Sequence, residues 1–81
     1  MSDVQEVDDR TEQIVADRLR VDEDTFDATT EFDSETLDAE SLDMVEIAEA
    51  IEADIGVHIP DAALEDIDTV GDLKSYVADR A

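Results

Sequence analysis

The chain has 81 residues, 42% of them apolar, and sets 26 acidic side chains against five basic ones for a net charge of -21. So short a chain builds one domain with one modest core and has no room to add a deep active site. Nucleic acid is excluded as a partner and anionic membrane surfaces are disfavoured, because both are held by clustered Lys and Arg.

Residues 1–6 read as an acidic polar tail, and residues 7–81 as a single domain. The tail has no apolar stretch, so no secretory signal pattern is present and the expected location is the cytoplasm. No apolar run approaches the roughly 18 residues of a membrane span. A first helix is predicted over Val7–Leu19, with Val7, Ile14, Val15 and Leu19 facing inward and Thr11 on the same side. Asp8 and Asp9 lie early in it, where carboxylates suit the positive end of the helix dipole.

A connection from Val21 to Glu40 follows, rich in Asp and Thr, which favour turns over helix. Twenty structureless residues are unusual in a compact domain. The spaced apolar residues Val21, Phe26, Phe32 and Leu37 therefore predict a segment packed over the helices, with one short helical turn. The second helix is predicted over Ser41–Ile55, from Met44, Ile47, Ala48, Ile51 and Ile55 at helical spacing. Gly56 supplies its stop. Val57-His58-Ile59-Pro60 is predicted extended, because the residue before proline avoids the helical region. A short third helix after Pro60 is expected to hold Ala63, Leu64 and Ile67. The last helix opens at Thr69, with Asp72 three residues on as a capping-box partner. Val70, Leu73, Tyr76 and Val77 form its stripe, and it runs out over Ala78–Ala81. With no strand pairing, hairpin signal or repeat, the fold class is all-α: a four-helix bundle of three main helices and one short one.

The five basic residues are Arg10, Arg18, Arg20, Lys74 and Arg80, so no Lys or Arg occurs between Val21 and Leu73. The natural partner of such a surface is a protein with a basic patch, found by electrostatic steering. Aspartate outnumbers glutamate 16 to 10 and lysine occurs once, a balance that points to a salt-loving source. There are no cysteines, so any thiol chemistry must come from a cofactor. His58 is the only histidine; alone it makes no zinc site, and no serine–histidine–acid spacing accompanies it. The run Asp33–Asp38 lacks the glycine that an EF-hand loop needs at its sixth position. No constellation for an enzyme emerges, and no metal site.

One serine stands out. Ser41 lies in Leu37-Asp38-Ala39-Glu40-Ser41-Leu42-Asp43, where the connection becomes the second helix. On its own such a serine reads as a helix N-cap. Asp43, Glu46, Glu49 and Glu52 then recur at steps of three along the helix, which reads equally as an ordinary solvated face.

These residues, with Val45-Glu46-Ile47, Ile59-Pro60-Asp61, Thr69-Val70 and Tyr76-Val77, resemble the acyl carrier proteins. Arg10, Ile14, Val15, Leu19, Val21 and Phe32 extend the resemblance, so that it covers the chain from about Val7 to Ala81. Two positions depart from the family pattern: Glu40 replaces an Asp before the serine, and Asp38 replaces a Gly three residues before it. The loop between Phe32 and Leu37 is also one residue longer. The resemblance implies that Ser41 is the attachment point of 4′-phosphopantetheine, taken from coenzyme A, whose thiol carries an acyl group as a thioester. It implies a substrate of several enzymes rather than an enzyme, monomeric, with the acyl chain sheltered by the core between the helices, or left in solvent if short or polar. The implied partners are a phosphopantetheinyl transferase and acyl-transferring or synthase enzymes. Their basic docking patches would meet Glu40, Leu42, Asp43, Val45, Glu46, Glu49 and Glu52. Fatty-acid or related acyl-chain synthesis is the first pathway implied. An aminoacyl or polyketide carrier, or an unmodified acidic helical module that only binds proteins, are the alternatives.

Overall fold

Four α-helices occur among residues 4–81, which a computed structural model describes: α1 Val4–Leu19, α2 Ser41–Ile55, α3 Asp61–Glu65 and α4 Val70–Arg80. α1 starts at Val4, three residues before the predicted position. Val4, Gln5 and Glu6, expected in the tail, form its first turn, and the rest of that tail lies outside the described residues. Val4 is 60% exposed, so burial did not mark it in the apolar pattern. Val7, Thr11 and Val15, four residues apart, are the buried stripe of α1, with Ile14 and Leu19 half-buried against the core. Thr11 has no access to water, and its hydroxyl is satisfied by donating to the Val7 carbonyl at 2.8 Å.

α1, α2 and α4 converge on Val15, Ile47, Ile51, Val70, Leu73 and Val77, which are fully buried. Among the described residues two ion pairs tie α1 to the other helices: Arg10 to Asp54 of α2, and Lys74 of α4 to Glu12. α2 ends as expected. Gly56 takes the left-handed conformation at φ 85°, and its N–H reaches the Glu52 carbonyl at 3.0 Å. Val57 and Ile59 are buried along the extended segment that follows. α3 is only five residues long and buries none of them completely. Ile67, expected inside α3, lies two residues past its end. It is still buried, because the turn that returns the chain toward α4 points it inward.

The long connection is ordered by its own side chains and by the turn before α4. It holds the one expected helical turn, a 3₁₀ turn at Glu23–Thr25. Phe26, Phe32 and Leu37 are buried and anchor it. The Asp27 carboxylate accepts from the Thr29 N–H at 2.9 Å and the Thr29 hydroxyl at 2.6 Å. These bonds favour its charged form and hold its pKa below the ordinary aspartate value, those from Thr29 contributing most. Three backbone bonds then stitch the connection to the α4 entry: Phe32 N–H to Asp68 O at 2.9 Å, Val70 N–H to Thr30 O at 3.0 Å, and Gly71 N–H to Ala28 O at 2.8 Å. Among the described residues a single antiparallel bridge pairs Glu31 with Thr69, a local exception to the expected absence of strand pairing. Gly71 is required by this contact: a Cβ there would lie 2.8 Å from the Ala28 carbonyl oxygen. α4 begins with the predicted capping box. Thr69 Oγ1 accepts from Asp72 N–H, and Asp72 Oδ2 accepts from Thr69 N–H, each at 3.1 Å.

Candidate functional site

At the start of α2 the cap is Glu40, not Ser41. Glu40 has extended backbone at φ -97° and ψ 172°, and Ser41 is the first helical residue. The N-cap reading of Ser41 is thereby corrected. The reason is local: Asp43 folds back so that its Oδ2 accepts the Glu40 N–H at 2.9 Å, which fixes the helix start one residue earlier. Ser41 is exposed, and its hydroxyl has no hydrogen-bond partner among the described residues. It stands where the first amides of a helix lack intrahelical acceptors and the dipole is positive.

The approach to Ser41 is held firmly. Leu37 is buried, the Asp38 N–H donates to the Ser34 carbonyl at 2.6 Å, and the Ala39 N–H donates to the Phe32 carbonyl at 2.8 Å. Asp38 has φ 46°, in the left-handed region. This explains the glycine that the resembling family places there. The turn requires positive φ, and aspartate is one of the few other residues that tolerates it.

On one side of Ser41 a groove of about 280 Å³ opens between α2 and α3. Met44 and Val45 of α2 and Leu64 of α3 give it an apolar floor, and Asp61 and Glu65 edge it with carboxylates. It is an open groove. The other expected contact residues divide by position. Glu40, Leu42, Asp43, Val45 and Glu46 gather with Ser41 at one end of α2. Glu49 and Glu52 continue along the helix, so that Glu52 lies about 16 Å from Ser41 at 1.5 Å per residue. Leu42 is 68% exposed and Val45 38%, so neither is spent in the core. The carboxylates are not equivalent. Asp43 is engaged at the helix start, and Glu52 accepts from His58 Nδ1 at 2.9 Å. Glu46 and Glu49 are exposed and form no ion pair among the described residues.

A hydroxyl on a rigid helix start, open to solvent, free of internal bonds and beside an apolar groove, fits a covalently tethered anionic arm. A match to the family model described as "Phosphopantetheine attachment site" spans residues 9–77. The chain is 38% identical over 73 residues to an acyl carrier protein of Lactobacillus acidophilus, covering 90% of each sequence. It is 40% identical over 76 residues to an acyl carrier protein of Picosynechococcus, covering 94% of this chain and 93% of the relative. The chain belongs to the acyl carrier protein family, whose members bear covalently attached 4′-phosphopantetheine. No helix among the described residues is long and apolar enough to cross a membrane.

The sequence did not single out Arg18 and Arg20. Both line a second groove beside the same end of α2. They are the last basic residues before the 53 positions that hold none, and the interval itself does not show which groove they line.

Proposed function

We propose that this chain carries acyl intermediates as thioesters on a 4′-phosphopantetheine attached to Ser41, in fatty-acid or related acyl-chain synthesis. One observation carries the assignment to Ser41. Its hydroxyl is exposed and has no hydrogen bond among the described residues, because Glu40 and Asp43 have taken over the capping that a serine at a helix start ordinarily performs. A phosphoryl transfer needs such an acceptor, an accessible primary hydroxyl on a backbone that does not move. The phosphodiester formed there would face the open amides and positive dipole of α2, which favour an anion. The bound arm supplies the thiol that the cysteine-free chain lacks.

Every other residue of the site serves positioning or recognition, so the chain acts as a substrate of its partners and not as a catalyst. Those partners are a phosphopantetheinyl transferase and acyl-transferring enzymes with basic patches. Glu40, Asp43, Glu46, Glu49 and Glu52 offer them carboxylates, while Leu42 and Val45 offer apolar contact close to the arm. The Met44–Val45–Leu64 floor suits the first carbons of an acyl chain, and α3, with no fully buried residue, is the element able to give way to a longer one. The chain works as a monomer in the cytoplasm.

The test is intact mass after incubation with coenzyme A, Mg²⁺ and a broad-specificity phosphopantetheinyl transferase in high salt. Wild type gains the mass of one phosphopantetheine and Ser41→Ala gains none. Equal gain in both proteins would refute the assignment to Ser41.

A further inference from the structure

The five basic residues fall into two groups. Arg10 pairs with Asp54, Lys74 pairs with Glu12, and the Arg80 guanidinium stacks 3.6 Å from the centre of the Tyr76 ring. Among the described residues, the Arg18 and Arg20 side chains have no ion pair, hydrogen bond or ring contact. Carboxylates are nevertheless close by. The two arginines share a groove of about 500 Å³ with Asp38, Asp43 and Glu46. Arginines that take none of these carboxylates remain available to a group from outside.

The backbone adds an independent observation. α1 ends with Arg20 in the left-handed conformation at φ 59°, which lets the Val21 N–H close on the Ala16 carbonyl at 3.0 Å. Glycine fills such a position without strain, and arginine does not. Asp38, at φ 46°, is the other non-glycine residue with positive φ among the described residues, and it lines the same groove. Arg20 is thus held against local preference beside a depression that Asp38, whose residue type tolerates the conformation, also lines. Departures of this kind gather at functional surfaces.

We propose that this groove is a second docking contact beside the acidic face of α2. Arg18 and Arg20 receive a carboxylate of the partner enzyme, while Asp43 and Glu46 receive its basic residues. The proposal rests on the carrier reading above. A free anion would be repelled by the three carboxylates of the groove, whereas a partner that brings both signs gains on both sides. The consequence is orientation. A uniformly negative face meets a basic patch in many rotations, but a cation at one edge selects one of them and so aims Ser41 at the partner's active site.

The test is the kinetics of loading by the phosphopantetheinyl transferase of the chain's own source, for wild type, Arg18→Gln, Arg20→Gly and the double variant. Arg80→Gln controls for net charge. Overall attraction alone makes every loss of positive charge favour a basic enzyme and lower KM. The proposal predicts the opposite sign: KM rises about three- to tenfold in the double variant, with kcat within about twofold and Arg80→Gln near wild type. Arg20→Gly alone raises KM yet melts at or above the wild-type temperature, since glycine relieves the left-handed strain. A merely structural arginine would not combine those two changes. Loading with KM unchanged or lowered in the double variant overturns this proposal alone. No loading of wild type removes the carrier reading, and the proposal with it.

Discussion

Two helices of this molecule open with the same devices and use them to opposite ends. At α4 the hydroxyl residue is the cap. Thr69 accepts from Asp72 and Asp72 answers with its carboxylate, so the arrangement is closed, with Thr69 half-buried and Asp72 exposed. At α2 the reach-back aspartate is again three residues past the cap, but the cap is Glu40, and the hydroxyl residue has moved one position inward. Both helices start firmly. Only α2 does so with a hydroxyl left over, and that displacement by one residue separates the engaged hydroxyl of Thr69 from the unbonded one of Ser41.

The comparison breaks most sharply by substitution at its two hydroxyls. Ser41→Ala is expected to abolish loading while leaving stability within about 0.5 kcal/mol of wild type, since no internal hydrogen bond is lost. Both halves are checked on one sample, by intact mass and by thermal melting. Thr69→Ala should do the reverse, lowering stability and sparing loading.

Salt is expected to have the next largest effect. No Lys or Arg occurs between Val21 and Leu73, so that stretch, α2 included, carries most of the net charge of -21, relieved at α2 by Arg10 on Asp54, while α4 brings its own Lys74 to Glu12 of α1. Raising KCl shortens the Debye length from about 10 Å at 0.1 M to about 3 Å at 1 M. Helicity followed by circular dichroism is expected to rise markedly across that range. A flat signal would remove the idea that the acidic excess is an adaptation to salt.

Thr69→Ala removes the α4 cap and is expected to cost about 1 kcal/mol in chemical denaturation with the extent of loading unchanged. A loss of loading comparable with that of Ser41→Ala would show that the two helix starts are not independent.

The smallest effect lies in acid. Asp72 accepts from the N–H groups of Asp68 and Thr69, which holds its pKa below the ordinary aspartate value. A folded pKa below the unfolded one contributes stability above the unfolded value, and that contribution is lost as pH falls through the folded value, here below about pH 4. Protonation of the many repelling carboxylates acts in the other direction, in wild type and variant alike. The difference in melting temperature between wild type and Asp72→Asn is therefore expected to narrow as pH falls from about 5 to about 2.5.

Much of this architecture was legible in the residues. Thr69 and Asp72, Gly56, and the stripes of α2 and α4 are local signals with local causes, and each element lies where they put it. The misses have physical reasons too. Val4 heads α1 while remaining exposed, so no apolar period reached it. Ile67 is buried by a turn rather than by a helix face. Ser41 looked like a cap because serine usually is one, and only the geometry of Asp43 shows that Glu40 holds that position. The bonds that order the long connection join residues nearly 40 positions apart, as from Phe32 to Asp68 and from Thr30 to Val70, and no local pattern announces them. The left-handed conformation of Arg20 is likewise invisible in a residue type that rarely adopts it, and at Asp38 the residue type permits the conformation without announcing it. The groove they line is where the structure adds most to the sequence.

The most direct measurement of the central claim is peptide mapping by tandem mass spectrometry of the protein purified from its own source in high salt. The account predicts one phosphopantetheine per chain, located on Ser41. Finding it on another hydroxyl, or finding Ser41 unmodified throughout, would contradict the claim that the start of α2 is built to leave this serine free.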